Sequence, residues 1–209
     1  MKHKVTLPKN KGNFDQMTED LSAYGLKIGH AKQGSLQAAV IGEDMSQKAY
    51  SYINKALGFR KKKWVENFNN DPLLKKWFGK VEKRDEAGDV LRRMNSVKKR
   101  FRKGLKLRLR PQKKESNARN TMGFVGPKDF QVFPKIFSKR TSGGQIDTET
   151  IASIFIHELL HLWFKDQKID GKIVYESDMA QKLAKLDPKK ARKSAENYEH
   201  FSLAVWNKS

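Results

Sequence analysis

The chain has 209 residues, 44 Lys+Arg against 23 Asp+Glu for a net charge of +21, and no cysteine. That length fits one domain with embellishments, and 12 Phe with 4 Trp supply the large side chains of one modest core, which excludes a wholly disordered chain. Zero cysteines exclude a disulfide scaffold, a thiolate metal site and a Cys nucleophile, so any metal must rest on carboxylates and on the five His.

No stretch approaches the ~18 apolar residues of a membrane span. The start, Met1 to Gly12, is basic but has no apolar run behind it, as a secretory signal would. The expected location is therefore cytoplasmic, or outside the cell by a route that reads no standard signal peptide, as for a delivered effector or toxin. The charge is uneven: residues 61–114 hold 20 basic and 6 acidic side chains, two-thirds of the excess in about a quarter of the chain.

In chain order, residues 1–13 read as a loose Lys-rich arm. Helices are predicted over 14–23 and 44–57, the second with Met45, Ala49, Ile53 and Leu57 on one stripe and Gly58 as its stop. Trp64 and Phe68 repeat the helical spacing, and Asp71-Pro72 opens a segment ending in Trp77-Phe78-Gly79. Val90, Leu91, Met94 and Val97 place a helix within 81–103. Residues 105–110, Leu-Lys-Leu-Arg-Leu-Arg, alternate as a strand with one apolar and one basic face. A Pro/Ser/Asn-rich loop follows over 111–121, then short strands at 123–125 and 130–137, the second demoted to an edge by Pro134. Asp147 or Thr148 caps a long helix through Phe164, and residues 176–206 read as two helices broken at Asp187-Pro188. No repeat or low-complexity tract is present. The class is α+β, mainly helical with a small β-sheet.

The chemistry lies in His157-Glu158-Leu159-Leu160-His161. Four residues make slightly more than one helical turn, so both imidazoles project from one face and can reach one Zn²⁺. Glu158 is turned about 100° away, beside the metal, which suits a general base acting on water that the metal activates. Chance placement in a chain of this composition predicts roughly 0.006 such matches. The bland alternative, two structural histidines and a paired glutamate, is costly among Ile154, Phe155, Ile156 and Leu159, where an unpaired carboxylate would lose several kcal/mol. A catalytic zinc needs three protein ligands and an open position. Asp166, Asp170, Glu176, Asp178 and Asp187 lie downstream, and Asp170-Gly171 offers a carboxylate together with a turn.

Residues 157–201 resemble the aspzincin metallopeptidases, the group of deuterolysin and the fungal peptidyl-Lys metalloendopeptidases. The matching pieces are the His-Glu-x-x-His helix, Tyr175, Leu183-Ala184-Lys185-Leu186-Asp187-Pro188, and Ser194-Ala195-Glu196-Asn197-Tyr198-Glu199-His200-Phe201, with Trp77-Phe78-Gly79 a looser match. The resemblance implies a zincin-like domain over 61–209 behind an N-terminal arm and helical extension over 1–60. It implies a zinc metalloendopeptidase acting on a protein or peptide substrate, with His157 and His161 as ligands and Glu158 as base. Tyr175 would hydrogen-bond the oxyanion. Glu196 and Glu199 would bind a substrate Lys, giving selectivity for that residue. The Gly-Thr-x-x-Asp-x-x-Tyr-Gly loop of the family is broken: counting back three from Tyr175 lands on Lys172. Counting nine forward from His161 lands on Asp170, the expected third ligand, with Asp166, Glu176 and Asp178 as alternatives.

The basic segment 98–114 remains. Residues 98–110 hold eight basic side chains in thirteen. Such a face suits an anionic partner: nucleic acid, a membrane surface or an acidic inhibitor protein. Its single aromatic, Phe101, makes a poor stacking platform, and a solvated helix end with a charged edge strand explains it as well. The rival reading of the whole chain is therefore a basic nucleic-acid-binding protein with a non-catalytic helix. Zinc-dependent hydrolysis of a non-protein amide, such as a cell-wall peptide, would use the same residues.

Overall fold

A computed structural model describes residues 2–112, 123–125 and 129–208. The loop expected over 111–121, and with it Lys113 and Lys114 of the basic segment, lies almost wholly outside the described residues. The class is α+β, mainly helical, as the patterning predicts. The chain forms two compact units, one of Met1–Gly42 with Arg100–Glu158, the other of Glu43–Lys99 with Leu159–Ser209. Strand pairing recruits the N-terminus to residues a hundred positions away.

The first unit contains β1 (Lys4–Thr6), α1 (Lys11–Ser22), the leading part of α2 (Ile28–Leu57), the end of α5 (Arg84–Arg102), β2 (Lys106–Leu109), β3 (Gly123–Val125), β4 (Phe130–Val132) and most of α6 (Thr148–Leu160). Its sheet has the order β1-β2-β4-β3, with β1, β2 and β4 parallel and β3 antiparallel to β4. Residues 1–13 are thus not a loose arm. The Lys4 N–H donates to the Leu105 carbonyl at 3.0 Å, and buried His3 Nδ1 accepts from the Leu105 N–H at 3.0 Å.

Alternation in β2 holds: Leu107 and Leu109 are buried, Lys106 is exposed, and Arg108 reaches Asp129 at 2.7 Å. β2 lies inside the sheet between β1 and β4, so its charges do not guard a free edge. Pro134 ends the strand at Val132 and opens a 3-10 turn over Pro134–Ser138, since it lacks the N–H a ladder needs. α2 begins at Ile28, far ahead of the predicted stripe. Three glycines dilute the helical signal there. Two of them are contact residues: a Cβ on Gly42 would meet the Phe101 ring at 2.7 Å, and one on Gly34 would meet Ile146 at 3.2 Å.

The second unit holds the rest of α2, then α3 (Trp64–Asn70), α4 (Pro72–Phe78), the body of α5, a hairpin of β5 (Lys168–Ile169) and β6 (Lys172–Ile173), α7 (Ser177–Leu186), α8 (Pro188–Ala191) and α9 (Ala195–Trp206). Its core is aromatic. The Phe78 ring lies 4.8 Å from Tyr198 and 5.2 Å from Phe201. Asp71 caps α4 by accepting from the Leu73 and Leu74 N–H groups, and Asp187 caps α8 by accepting from Lys190. A further break at Arg192–Ser194, with Ser194 capping α9, turns the two helices expected over 176–206 into three. Gly79 (φ 67°) shows why Trp77-Phe78 is followed by glycine: a Cβ there would sit 2.3 Å from the Ala184 carbonyl oxygen.

Candidate active site

Helix α6 carries the His-Glu-x-x-His sequence at its C-terminal end. Asp147 fixes the start by accepting from the Thr150 N–H at 2.9 Å and the Thr150 hydroxyl at 2.7 Å. Ile151, Ala152, Phe155, Ile156, Leu159 and Leu160 are buried, and the Phe155 ring packs tilted, 4.7 Å from Phe130 of β4. The apolar residues thus lock the rotation of the helix. His157, Glu158 and His161 are left half-buried, accessible but partly desolvated. That is the exposure a hydrolytic site needs.

The helix stops at Leu160, short of the predicted Phe164, and the chain coils into a turn: the Trp163 and Phe164 N–H groups both donate to the Leu160 carbonyl. Phe164 is held by its ring, 5.8 Å from Tyr198 and 5.2 Å beneath the Arg93 guanidinium. Its carbonyl oxygen lies 3.1 Å from His161 Nδ1. A carbonyl only accepts, so Nδ1 donates in this contact. Asp166 Oδ1 lies 3.5 Å from His161 Nε2.

These donors fit a zinc ion. Two ligands at about 2.0–2.2 Å on a tetrahedral metal stand roughly 3.3–3.6 Å apart. The separation between His161 Nε2 and Asp166 Oδ1 falls in that interval, where either a metal ion or a proton on Nε2 can join the two.

Asp170 has a different setting. It turns the β5–β6 hairpin with Gly171, the two at φ 51° and 77°, as an Asp-Gly turn of a short hairpin requires. Its side chain is 83% exposed and lies 3.5 Å from Lys182 Nζ of α7. Tyr175 follows buried Val174 and presents its ring 58% exposed. Glu176 and Asp178 are exposed at the start of α7.

Glu196 stands in the first turn of α9 and Glu199 in the next, only 5% and 9% exposed, which excludes a solvated helix face. Glu196 Oε1 lies 3.3 Å from His200 Nε2, and the His200 ring stacks 5.5 Å from Trp77. Between the two carboxylates, buried Asn197 donates to the Trp77 carbonyl at 2.6 Å and the Ala180 carbonyl at 2.8 Å, tying α9 to α4 and α7. Arg192, buried just ahead, donates to Glu86 at 2.7 Å and to the Lys80 carbonyl at 2.9 Å. Neither Asn197 nor Arg192 stands out in the sequence. The signal was an Asn between two Glu in an otherwise apolar helix, which reads as surface until the carbonyls it serves are known.

The lysine-specific metallo-endopeptidase model of the aspzincins matches residues 65–203. The chain belongs to that family. It is a zinc metalloendopeptidase, a hydrolase of peptide bonds. A zinc peptidase from Grifola frondosa shares the fold, with a TM-score of 0.52 at 20% identity over 84% of this chain and 97% of that one. No match is found among curated proteins. Among the described residues, no helix is long and apolar enough to cross a membrane.

Proposed function

We propose that this aspzincin cleaves peptide bonds on the amino side of lysine, with zinc held by His157, His161 and a carboxylate of the segment that follows them. The approach of Asp166 to His161 Nε2 supports Asp166 as that carboxylate, ahead of Asp170, whose exposed side chain is next to Lys182. When bound, zinc supplies Lewis-acid activation of water and of the scissile carbonyl.

The chain's own residues do the rest. Glu158, one position along the helix from His157, accepts a proton from the attacking water and returns it to the leaving amine, so the two transfers balance. The Tyr175 hydroxyl donates a hydrogen bond to the oxyanion of the tetrahedral adduct; its exposure suits a group that closes on substrate. Glu196 and Glu199, three residues apart, present two desolvated carboxylates on one face of α9, and an ammonium would offset their burial.

The observation that carries the reading is a half-buried His157-Glu158-x-x-His161 on a capped, anchored helix in a chain of this family. The decisive experiment is Glu158→Gln. Cleavage of a Lys-containing peptide should fall by at least ~10³-fold while one zinc per chain is retained. Wild-type protein that folds without stoichiometric zinc would sink the reading. Equal cleavage of Lys and Leu peptides would remove the selectivity alone.

A further inference from the structure

The loop between α2 and α3 carries the most exposed large apolar side chain among the described residues, Phe59, at 102% of its reference exposure. Arg60, Lys61, Lys62 and Lys63 follow it directly, all exposed, and Lys55 stands in the last turn of α2. No Asp or Glu occurs between Asp44 and Glu66. The tip is therefore cationic with no acidic residue of its own segment to neutralise it.

The loop is also fixed in place. Gly58 (φ 67°) turns the chain out of α2, its N–H donating to the Asn54 carbonyl at 3.1 Å. From α3, the Trp64 indole donates to the Gly58 carbonyl at 3.0 Å, and the Asn67 amide donates to the Leu57 carbonyl at 2.7 Å. The Lys63 N–H closes the tip on the Arg60 carbonyl at 2.8 Å. A pinned loop that holds a whole phenyl ring in water gains nothing from it in folding.

We infer that residues 55–63 dock the enzyme on an anionic lipid surface, with Phe59 inserted at the headgroup level and the five cations on the phosphates and carboxylates around it. An apolar anchor inside a polybasic collar is the chemistry of two-signal peripheral binding, in which neither part suffices alone. Single-stranded nucleic acid would match the charge, but it calls for successive aromatic faces along a groove, and here one ring stands at a protruding tip. The inference is independent of the zinc ligands and of the assigned substrate.

The test uses the full chain with large unilamellar vesicles of phosphatidylcholine, alone or with one-quarter phosphatidylserine, in a sedimentation assay. Binding should require phosphatidylserine and weaken steeply as salt is raised. Lys61→Glu with Lys62→Glu should lower the partition coefficient by at least ~25-fold and Phe59→Ser by roughly tenfold, with zinc content and thermal unfolding unchanged. Because the chain has no cysteine, Phe59→Cys gives a unique site for an environment-sensitive fluorophore. Its emission should shift to the blue on anionic vesicles, and the same label at Val40→Cys should not respond. Absence of wild-type binding, an unresponsive label at position 59, or tighter binding to an oligonucleotide that Phe59→Ser weakens would each overturn the inference.

Discussion

Two stretches of the second unit carry carboxylates assigned to the chemistry, and they hold them in opposite ways. On α9, Glu196 and Glu199 are buried, and the backbone between them is fastened by the Ser194 cap and by Asn197, which satisfies two carbonyls from two other helices. After α6, Asp166 and Asp170 lie 43% and 83% exposed along a return segment whose regular structure is one hairpin with two paired positions per strand. The carboxylates proposed to meet a substrate lysine are kept dry and rigid, at a desolvation cost the fold bears. Carboxylates on the return segment contribute little to folding and remain free to respond to a cation.

Breaking the fastening of α9 should give the largest effect. Asn197→Ala takes a donor from the Trp77 and Ala180 carbonyls in a buried setting and removes the tie between α9, α4 and α7. Two lost hydrogen bonds with both acceptors left buried should lower unfolding free energy by about 2–4 kcal/mol, read from urea denaturation with metal removed. A loss below ~0.5 kcal/mol would mean that α9 is held by its aromatic contacts alone.

The return segment should behave in the reverse sense. Asp166→Asn is expected to leave metal-free stability within ~0.5 kcal/mol and to weaken zinc by about 10–100-fold in competition with a chromophoric chelator. Asp170→Asn should change zinc affinity by less than ~3-fold, because its neighbour is Lys182. The opposite ranking would return the third-ligand role to Asp170 and leave the enzyme reading standing.

Acid titration probes the approach to α9 from a third side. Burial pushes the Glu86 carboxyl upward, but the N–H groups of Glu82 and Lys83 and the Arg192 guanidinium outweigh it and hold its pKa below the usual value. The unfolded chain therefore binds the Glu86 proton first as pH falls. The stabilisation is complete above the ordinary Glu value of about 4.3 and is lost as pH drops below it through the depressed folded value. Glu86→Gln should cost about 1–2 kcal/mol at pH 7 and flatten the stability profile below that value, since Arg192 keeps only its neutral acceptors.

What could be read in advance follows physical range. The metal helix, the Asp71 and Asp187 caps and the alternation of β2 are set by neighbours within a few residues, and periodicity and cap chemistry expose them. β1 reads as an arm in the sequence because its partner is β2, across a separation of 102 residues, and three residues of Lys-Val-Thr carry no pattern by themselves. The leading part of α2 was hidden by glycines whose purpose, room for Phe101 and Ile146, exists only in the folded chain. In the site, residue types with a fixed spacing were legible. For the third ligand, spacing from His161 points to Asp170 and leaves Asp166 among the alternatives, and it cannot foresee the contacts of His161 with the Phe164 carbonyl and Asp166.

The smallest expected effect tests the same contrast at its exposed end. Lys182 and Asp170 are 57% and 83% exposed with a separation of 3.5 Å, so solvent screens their attraction and holding both side chains in place costs entropy. Lys182→Ala should therefore change unfolding free energy by no more than ~0.5 kcal/mol, and the change should vanish in 1 M salt. If the variant instead gained zinc affinity tenfold while its stability stayed constant, Lys182 would be competing with the metal for Asp170. The return segment would then hold two interchangeable ligands, and its exposure would reflect a choice between them rather than a lack of structure.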